Sequence, residues 1–275
     1  MSRGRNRIYN PFAPVVPVEP SVSIHPCAVA TRLFRSVRSV GYRSYFRLAR
    51  ANYDRELVAR RNRTPAGTVR CYEPLNRHGS DAMLADVAAC CGPEDTVYDI
   101  GANIGIYALA LASDAPDRRI VAFEPSPSTV SRLRANVRLN ALEERISVRA
   151  CGLGDETDER PFYVSTYPEL SGFDRESATR WEATVADVRS VPIRRLDDLA
   201  AELPPPDVVK IDVEGAAPAV VRGARDTLER HGPIVFLESH AEGFGRDIPG
   251  ETRAALEAVD YAVRERDGYW RCSPR

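Results

Sequence analysis

Short apolar runs alternate with amphipathic segments over most of the chain. Five such runs predict buried strands, at residues 96–100, 119–123, 146–151, 207–211 and 234–238. Helical patterns fall between them, and one begins with Ser126 as its N-cap and Pro127 at its first position. Strands that alternate with helices predict an α/β fold, a doubly wound and mostly parallel sheet that is covered on both faces.

The C-terminal segment breaks this alternation. Two short strand patterns in YAVRERDGYWRC are joined by Asp267 and Gly268, a pair that is typical of two-residue hairpin turns. The sheet is therefore predicted to close with an antiparallel hairpin.

The N-terminal part differs from the rest in pattern and charge. Residues 1–27 are proline-rich and predict a disordered or loosely docked arm, 28–79 a basic helical extension, and 80–275 the α/β domain. Residues 1–70 carry a net charge of +11 and the remainder carries −12. The basic segment could contact nucleic acid or an anionic membrane surface, or could dock on the chain's own acidic domain.

Composition narrows the class of protein. Six cysteines without zinc-site spacing predict buried or free thiols in a reducing cytoplasm. No apolar run approaches the roughly 20 residues of a membrane span. Lys210 is the only lysine, which indicates codon bias more than chemistry.

The segment DIGANIG, residues 99–105, follows the first predicted strand of the alternating region and opens a helix. Gly101 and Gly105 would let a ligand approach the backbone, and Asn103 tolerates a left-handed conformation. The glycine spacing does not fit G-x-G-x-x-G, which argues against a nicotinamide dinucleotide. Asp99, just before the turn, suits a cationic ligand instead.

The next strand ends in VAFEP. Glu124 lies 19 residues beyond Gly105, close to the acid that binds ribose hydroxyls about 20 residues on in nucleotide-binding folds. A ribose, a nearby cation and no pyrophosphate together indicate S-adenosylmethionine. The alternative is a glycine turn and a helix-capping acid with no ligand.

Five segments resemble, in order, the FkbM-type methyltransferases, a branch of the class I S-adenosylmethionine-dependent fold: VYDIGANIGIYALALA, VAFEPSP, RLDDL, VVKIDVEGAAPAVVRGARDTL and PIVFLE. The resemblance covers residues 80–240 and implies a Rossmann-like sheet of seven strands with an antiparallel final hairpin. It also implies three groups of cofactor-binding residues: Asp99, Gly101, Ala102, Asn103 and Gly105 at the methionine part, Glu124 at the ribose and Asp155 at the adenine.

Four polar residues follow the next two predicted strands, Asp212 and Glu214 in KIDVEG and Glu238 and His240 in FLESH. A hydroxyl acceptor needs a base or a metal. Asp212 is the first candidate for base or acceptor anchor, and Glu214 is the second or else stabilises a helix N-terminus. His240 is a candidate base or an ordinary hydrogen-bonding residue. Together the four could bind Mg²⁺, which we do not favour over a metal-free site.

The long connection at residues 156–190 carries aromatic residues among charges, and it predicts a lid, an acceptor-binding wall or a β-hairpin extension of the sheet. The chain as a whole predicts a cytoplasmic S-adenosylmethionine-dependent methyltransferase. The resemblance implies oxygen of a sugar, glycan or other small hydroxylated metabolite as the acceptor. Methylation of RNA is an alternative, although aromatic and basic residues are not interleaved as a single-strand platform requires. A non-catalytic scaffold that binds the cofactor and regulates a partner is another.

Overall fold

The computed structural model describes residues 44–75, 78–167, 170–238 and 246–275. In chain order its helices are α1 (44–55), α2 (Ala82–Cys90), α3 (Ile106–Asp114), α4 (Pro127–Leu139), α5 (Leu196–Leu199), α6 (Ala217–Gly223), α7 (Arg225–His231) and α8 (Ile248–Glu257). Its strands are β1 (Arg60–Thr64), β2 (Gly67–Cys71), β3 (Thr96–Ile100), β4 (Arg119–Phe123), β5 (Ile146–Arg149), β6 (Gly152–Leu153), β7 (Asp158–Ser165), β8 (Val185–Arg194), β9 (Val208–Ile211), β10 (Ile234–Glu238), β11 (Tyr261–Glu265) and β12 (Tyr269–Pro274).

Seven strands form the central sheet in the order β11-β12-β10-β9-β3-β4-β5. The pairs β10–β9, β9–β3, β3–β4 and β4–β5 are parallel, and β12 runs antiparallel to both β10 and β11. The turn at Asp267 and Gly268 joins β11 to β12, as predicted. The predicted fold class, a doubly wound and mostly parallel sheet of seven strands with an antiparallel C-terminal hairpin, is confirmed.

Side chains alternate between two apolar layers, one on each face of the sheet. Val97 and Ile120 pack in the layer that α2, α3 and α4 cover. Tyr98 and Val121 pack in the layer that α6, α7 and α8 cover. Because alternate residues of a strand share a face, Asp99 lies in the same layer as Val97. The sheet therefore places a carboxylate inside an apolar layer, close to the carboxyl end of β3.

Two predicted helical regions are wrong in part. The basic extension predicted at residues 28–79 is not helical throughout: α1 ends at residue 55, before Glu56 with a φ of +49°, and β1 and β2 form an antiparallel hairpin. The helical pattern between the predicted strands at 207–211 and 234–238 forms two helices, α6 and α7, which are divided at Ala224, where the ψ of 9° is not helical. Residues 1–43, which include the predicted arm, lie outside the described residues.

The described part of the N-terminal extension is joined to α4 by two asparagine side chains. Asn140 exchanges two hydrogen bonds with the backbone of Arg70, at 2.8 and 2.7 Å. Asn136 accepts from the Tyr72 N–H at 3.2 Å, and its amide donates to the Ile104 carbonyl at 2.9 Å. The extension therefore contacts the turn that opens α3. The boundary at residue 80 stays a prediction.

The connection at residues 156–190 forms a sheet of its own. The antiparallel pair β7–β8 is extended by β6, which runs parallel to β8. A 3-10 helix at Ser177–Glu182 lies between β7 and β8. The hairpin alternative is thus correct in its pairing, but the hairpin does not extend the central sheet, because it pairs with β6 instead of β5.

Neither a disulfide nor a membrane-spanning helix contributes to the described part of the chain. Its five cysteines are thiols, and Cys71, Cys151 and Cys272 are buried. None of its helices combines the length and the apolar character that a bilayer crossing requires.

Gly101, at the end of β3, is required by close packing against β9. Its φ is +76°, and a Cβ built there would lie 2.0 Å from the Asp212 carbonyl oxygen. The close neighbour of Gly101 is thus the chain's own backbone, and the approach of a ligand to this glycine stays a prediction.

We expect Gly101→Ala to lower the free energy of unfolding by about 2–5 kcal/mol. A left-handed conformation costs a non-glycine residue about 1–2 kcal/mol, and overpacking adds about 1–3 kcal/mol. Gly268→Ala is the matched control, since its φ is +87° and no atom lies within 4 Å of the added Cβ. Its free energy of unfolding should fall only by the cost of the left-handed conformation, about 1–2 kcal/mol. Urea denaturation measures both. Equal losses would contradict the steric role of Gly101.

Candidate functional site

A cleft of about 440 Å³ lies at the carboxyl edge of the parallel strands, where β3 and β9 adjoin and the strand order reverses. The predicted site residues that line it are Gly101, Asn103, Glu124, Asp212, Glu214 and Glu238. The small sheet contributes Phe162, and the connection between β7 and β8 contributes Phe173. The two rings meet edge to face with their centres 5.2 Å apart. The strand ends thus bring the two predicted sets of residues, for cofactor and for acceptor, into one cleft.

Glu124 joins the turns that follow β3 and β4. Its Oε2 accepts the N–H of Asn103 at 3.0 Å, and its Oε1 accepts the N–H of Ser126 at 2.9 Å. Asn103 has a φ of +51°, the left-handed conformation expected of it. Burial raises the pKa of Glu124 to about 7, against the opposing effect of the two backbone hydrogen bonds. This carboxyl therefore changes its charge close to neutral pH.

Asp99 and Lys210 form a buried ion pair beneath the cleft. The parallel register places Lys210 directly beside Asp99 on the same face, and its Nζ lies 3.0 Å from Asp99 Oδ1. The ammonium also donates to the Gly101 carbonyl at 3.0 Å and lies 3.7 Å from Asp212 Oδ2. Burial alone would lower the pKa of Lys210, but the charges of Asp99 and Asp212 outweigh it and raise the pKa. Lys210 is therefore a buried, charged member of the site, a role that its rarity in the composition did not predict.

A chain of contacting side chains that was not predicted from the sequence extends from Lys210 to the rim of the cleft. Lys210 Nζ lies 5.1 Å from the centre of the Tyr107 ring, and the Tyr107 hydroxyl donates to Asp81 Oδ1 at 2.7 Å. Asp81 Oδ2 lies 2.9 Å from Nδ1 of His78, which lines the cleft. One feature of the sequence could have indicated this contact: His78 lies three residues before Asp81, the aspartate that caps α2.

Asp81 is held in its charged form. Burial favours its neutral form, but the hydrogen bonds from His78, from the Leu84 N–H and from the Tyr107 hydroxyl together lower its pKa. The residue thus serves at once as the N-cap of α2, with Leu84 N–H at 2.9 Å, and as the partner of an imidazole.

Glu214 attaches the small sheet to the cleft. Its Oε2 lies 3.2 Å from Nη2 of Arg180, a residue of the 3-10 helix between β7 and β8. Both side chains are largely buried, 26% and 18% exposed, so the pair is less screened than a surface ion pair. This contact makes the small sheet a wall of the cleft.

Several predicted site residues lie elsewhere. Gly105 packs on α4, where an added Cβ would lie 2.2 Å from Leu133 Cδ1, and Ala102 is buried outside the cleft lining. Asp155 pairs with Arg222 of α6 at 2.8 Å. Leu133 fills the space where a side chain at position 105 would lie, so packing on α4 by itself requires glycine here, and ligand contact at Gly105 stays a prediction.

The remaining predictions concern a base and a metal. His240 lies outside the described residues. Within the four described ranges, no group of three or more His, Cys, Asp or Glu side chains is placed to hold a metal ion. The Mg²⁺ alternative, which includes His240, stays untested.

We expect Lys210→Met to lower the free energy of unfolding by about 3–5 kcal/mol, because it leaves Asp99 charged and buried without its partner. Combining it with Asp99→Asn should recover part of the loss, since the uncompensated charge is then removed. Arg222→Met, which breaks the more exposed pair with Asp155, should cost less than about 1 kcal/mol. Urea denaturation of the four proteins gives the values, and a Lys210→Met variant as stable as wild type would contradict the buried pair.

Known proteins resemble the part of the chain that forms the cleft. The sequence profile of the methyltransferase FkbM domain matches residues 99–263. Methyltransferase 1 of Beauveria bassiana is 29% identical over 153 residues, 49% of this chain and 60% of that protein. The 31-O-demethyl-FK506 methyltransferase FkbM of Streptomyces tacrolimicus is 31% identical over 58% of this chain and 66% of its own.

A third relative, the hexuronic acid methyltransferase AglP of Haloferax volcanii, is 30% identical over 63% of this chain and 68% of its own. The matches to Methyltransferase 1 and to the Streptomyces FkbM span less than two thirds of those proteins' own lengths. The domain profile, in contrast, covers more than half of the present chain. This protein belongs to the FkbM methyltransferase family.

Proposed function

We propose that this chain is an S-adenosylmethionine-dependent methyltransferase that acts on a hydroxyl oxygen of a sugar, glycan or other small hydroxylated metabolite. One observation carries the proposal: Glu124 and the Asn103 turn line the same cleft as Asp212 and Glu238. Two relatives support this acceptor class by their names, one a 31-O-demethyl-FK506 methyltransferase and the other a hexuronic acid methyltransferase.

The residues of the cleft fit the proposed cofactor. The buried Glu124 carboxylate at the end of β4 suits ribose hydroxyls, and the wall of Phe123, Cys151 and Leu153 suits an adenine ring. The carboxylates of Asp212 and Glu238 suit the positive charge of a sulfonium. When bound, S-adenosylmethionine supplies an electrophilic methyl group for the acceptor oxygen.

On this proposal Asp212 anchors the acceptor. Lys210, 3.7 Å away, stabilises the charged carboxylate, which accepts hydrogen bonds readily. A hydroxyl held by Asp212 is oriented beside the cofactor site, and orientation supplies much of the acceleration of a displacement. The ring pair of Phe162 and Phe173, fixed through Arg180 and Glu214, excludes water from that side.

The affinity for S-adenosylhomocysteine should depend on the charge of Glu124. Ribose hydroxyls donate to the ionised carboxylate, so affinity should fall about tenfold per pH unit below pH 7 and level off above it. Glu124→Gln should remove this dependence and weaken binding at pH 8 by about 1–3 kcal/mol. Calorimetry from pH 5.5 to 8.5 measures both.

Glu229→Gln, on the exposed side of α7 where Glu229 pairs with Arg225, is the matched control and should bind like wild type. Binding by wild type that does not change with pH would contradict the role of Glu124. Failure to bind S-adenosylhomocysteine at all would contradict the proposed function.

Asp212→Asn should retain the affinity for S-adenosylhomocysteine, because its sulfur carries no charge and the other proposed cofactor contacts come from β3 and β4. Methyl transfer should fall about 10²–10⁴-fold, because asparagine keeps the shape of the side chain and loses its charge. Transfer of a labelled methyl group to fractions of a cell extract, by wild type and variant, measures the effect. Equal transfer by both would remove Asp212 from the mechanism, and cofactor binding without transfer to any fraction would favour the scaffold alternative.

A further inference from the structure

We propose that His78 is the general base that deprotonates the acceptor hydroxyl, and that Asp81 is its positioning residue. The inference rests on the proposed methyl transfer to oxygen. It assigns the base to a residue that precedes the matched domain, which begins at residue 99.

The geometry defines the tautomer of the imidazole. Asp81 Oδ2 lies 2.9 Å from His78 Nδ1, and an ionised carboxylate only accepts hydrogen bonds. Nδ1 therefore carries the proton, and Nε2 of the neutral ring carries the basic lone pair. The Tyr107 hydroxyl and the Leu84 N–H hold the other oxygen of Asp81, so the carboxylate has a fixed orientation.

The position of His78 connects this pair to the reaction site. Its side chain is 35% exposed and lines the cleft together with Asp212 and Glu238. Its ring and the Tyr107 ring meet edge to face with their centres 6.0 Å apart. Tyr107 also contacts Lys210, which pairs with Asp99 and lies near Asp212. A base and an acceptor anchor thus stand on the walls of one cleft, joined by a continuous set of contacts.

The charges around His78 suit a base. Asp81 faces it from the start of α2 and Tyr107 from α3, with the ammonium of Lys210 beyond the Tyr107 ring. Asp212, Glu214 and Glu238 line the same cleft, and Glu214 is paired with Arg180. The carboxylates stabilise the imidazolium that forms, whereas the Asp212 carboxylate lies 3.7 Å from the ammonium of Lys210.

The proposed step is a proton transfer coupled to displacement. The O–H bond of the acceptor breaks and its proton goes to His78 Nε2, which leaves the electron pair on oxygen. That pair forms the new O–C bond to the methyl group, and the pair of the broken S–C bond stays on the sulfur of the departing thioether. The imidazolium then returns its proton to solvent.

The test compares three variants of the full chain with wild type. His78→Gln should lower kcat about 10²–10⁴-fold with little change in KM and should abolish the acidic limb of the pH profile. Asp81→Asn keeps a good N-cap but removes the charge, so the acidic limb should move to lower pH. His231→Gln, at the exposed end of α7, is the matched control and should behave like wild type.

The assay uses labelled S-adenosylmethionine with a panel of free hexoses, hexuronic acids and their nucleotide conjugates. Calorimetry with S-adenosylhomocysteine accompanies it. A wild-type protein that binds no S-adenosylhomocysteine overturns the proposed function. Wild-type binding and transfer, together with full transfer by His78→Gln, overturns only the role of His78.

A second measurement does not depend on the acceptor. Long-range ¹H–¹⁵N spectra of the four imidazoles, with the signals of His78 assigned through His78→Gln, report its tautomer. The Nδ1–H tautomer should dominate in the neutral ring and should be lost or weakened in Asp81→Asn. A dominant Nε2–H tautomer in wild type would overturn the proposal, because the nitrogen assigned as base would already hold a proton.

Discussion

The ion pair between Lys210 and Asp99 is the interaction on which the rest of the site depends. Burying either charge in this apolar layer without the other would lower the free energy of unfolding by several kcal/mol. The parallel register of β3 and β9 places them side by side, and the Gly101 carbonyl accepts a further hydrogen bond from the ammonium. The same ammonium lies near Asp212. One buried charge therefore holds together the glycine turn, where the cofactor is proposed to bind, and the residue proposed to hold the acceptor.

The two ends of the cleft are constructed differently. Asn103 and Glu124 come from consecutive strand ends and are joined by one hydrogen bond across 21 residues of chain. The other end combines His78, from the N-terminal side of the domain, with Phe173 from the connection between β7 and β8 and Asp212 from the turn after β9. The first end is a local product of two βα turns, whereas the second requires the whole chain to be folded.

This difference explains which features could be predicted from the sequence. The strands at 96–100, 119–123 and 234–238 were predicted to the residue because apolar runs and turn residues bound them locally. Lys210 inside VVKI was a visible signal, since a lone charge in an apolar strand needs a partner, but the partner depends on strand register. Asp155 looked suitable for a ligand and pairs instead with Arg222, which is 67 residues distant. A contact between residues so far apart in the sequence depends on how the strands and helices pack, and the hydrophobic pattern of the sequence does not predict it.

The enclosure of Lys210 also limits how the composition of the chain can vary. All other basic residues apart from histidine are arginine, and on the surface a guanidinium replaces an ammonium at little cost. At position 210 it does not, because a planar group with five donors cannot be satisfied in a space shaped by Asp99, the Gly101 carbonyl and the Tyr107 ring. Burial alone does not exclude arginine, since the buried Arg118 donates to the carbonyls of Gly92, Leu111 and Cys91. At position 210 it is the shape of the enclosing space that requires lysine.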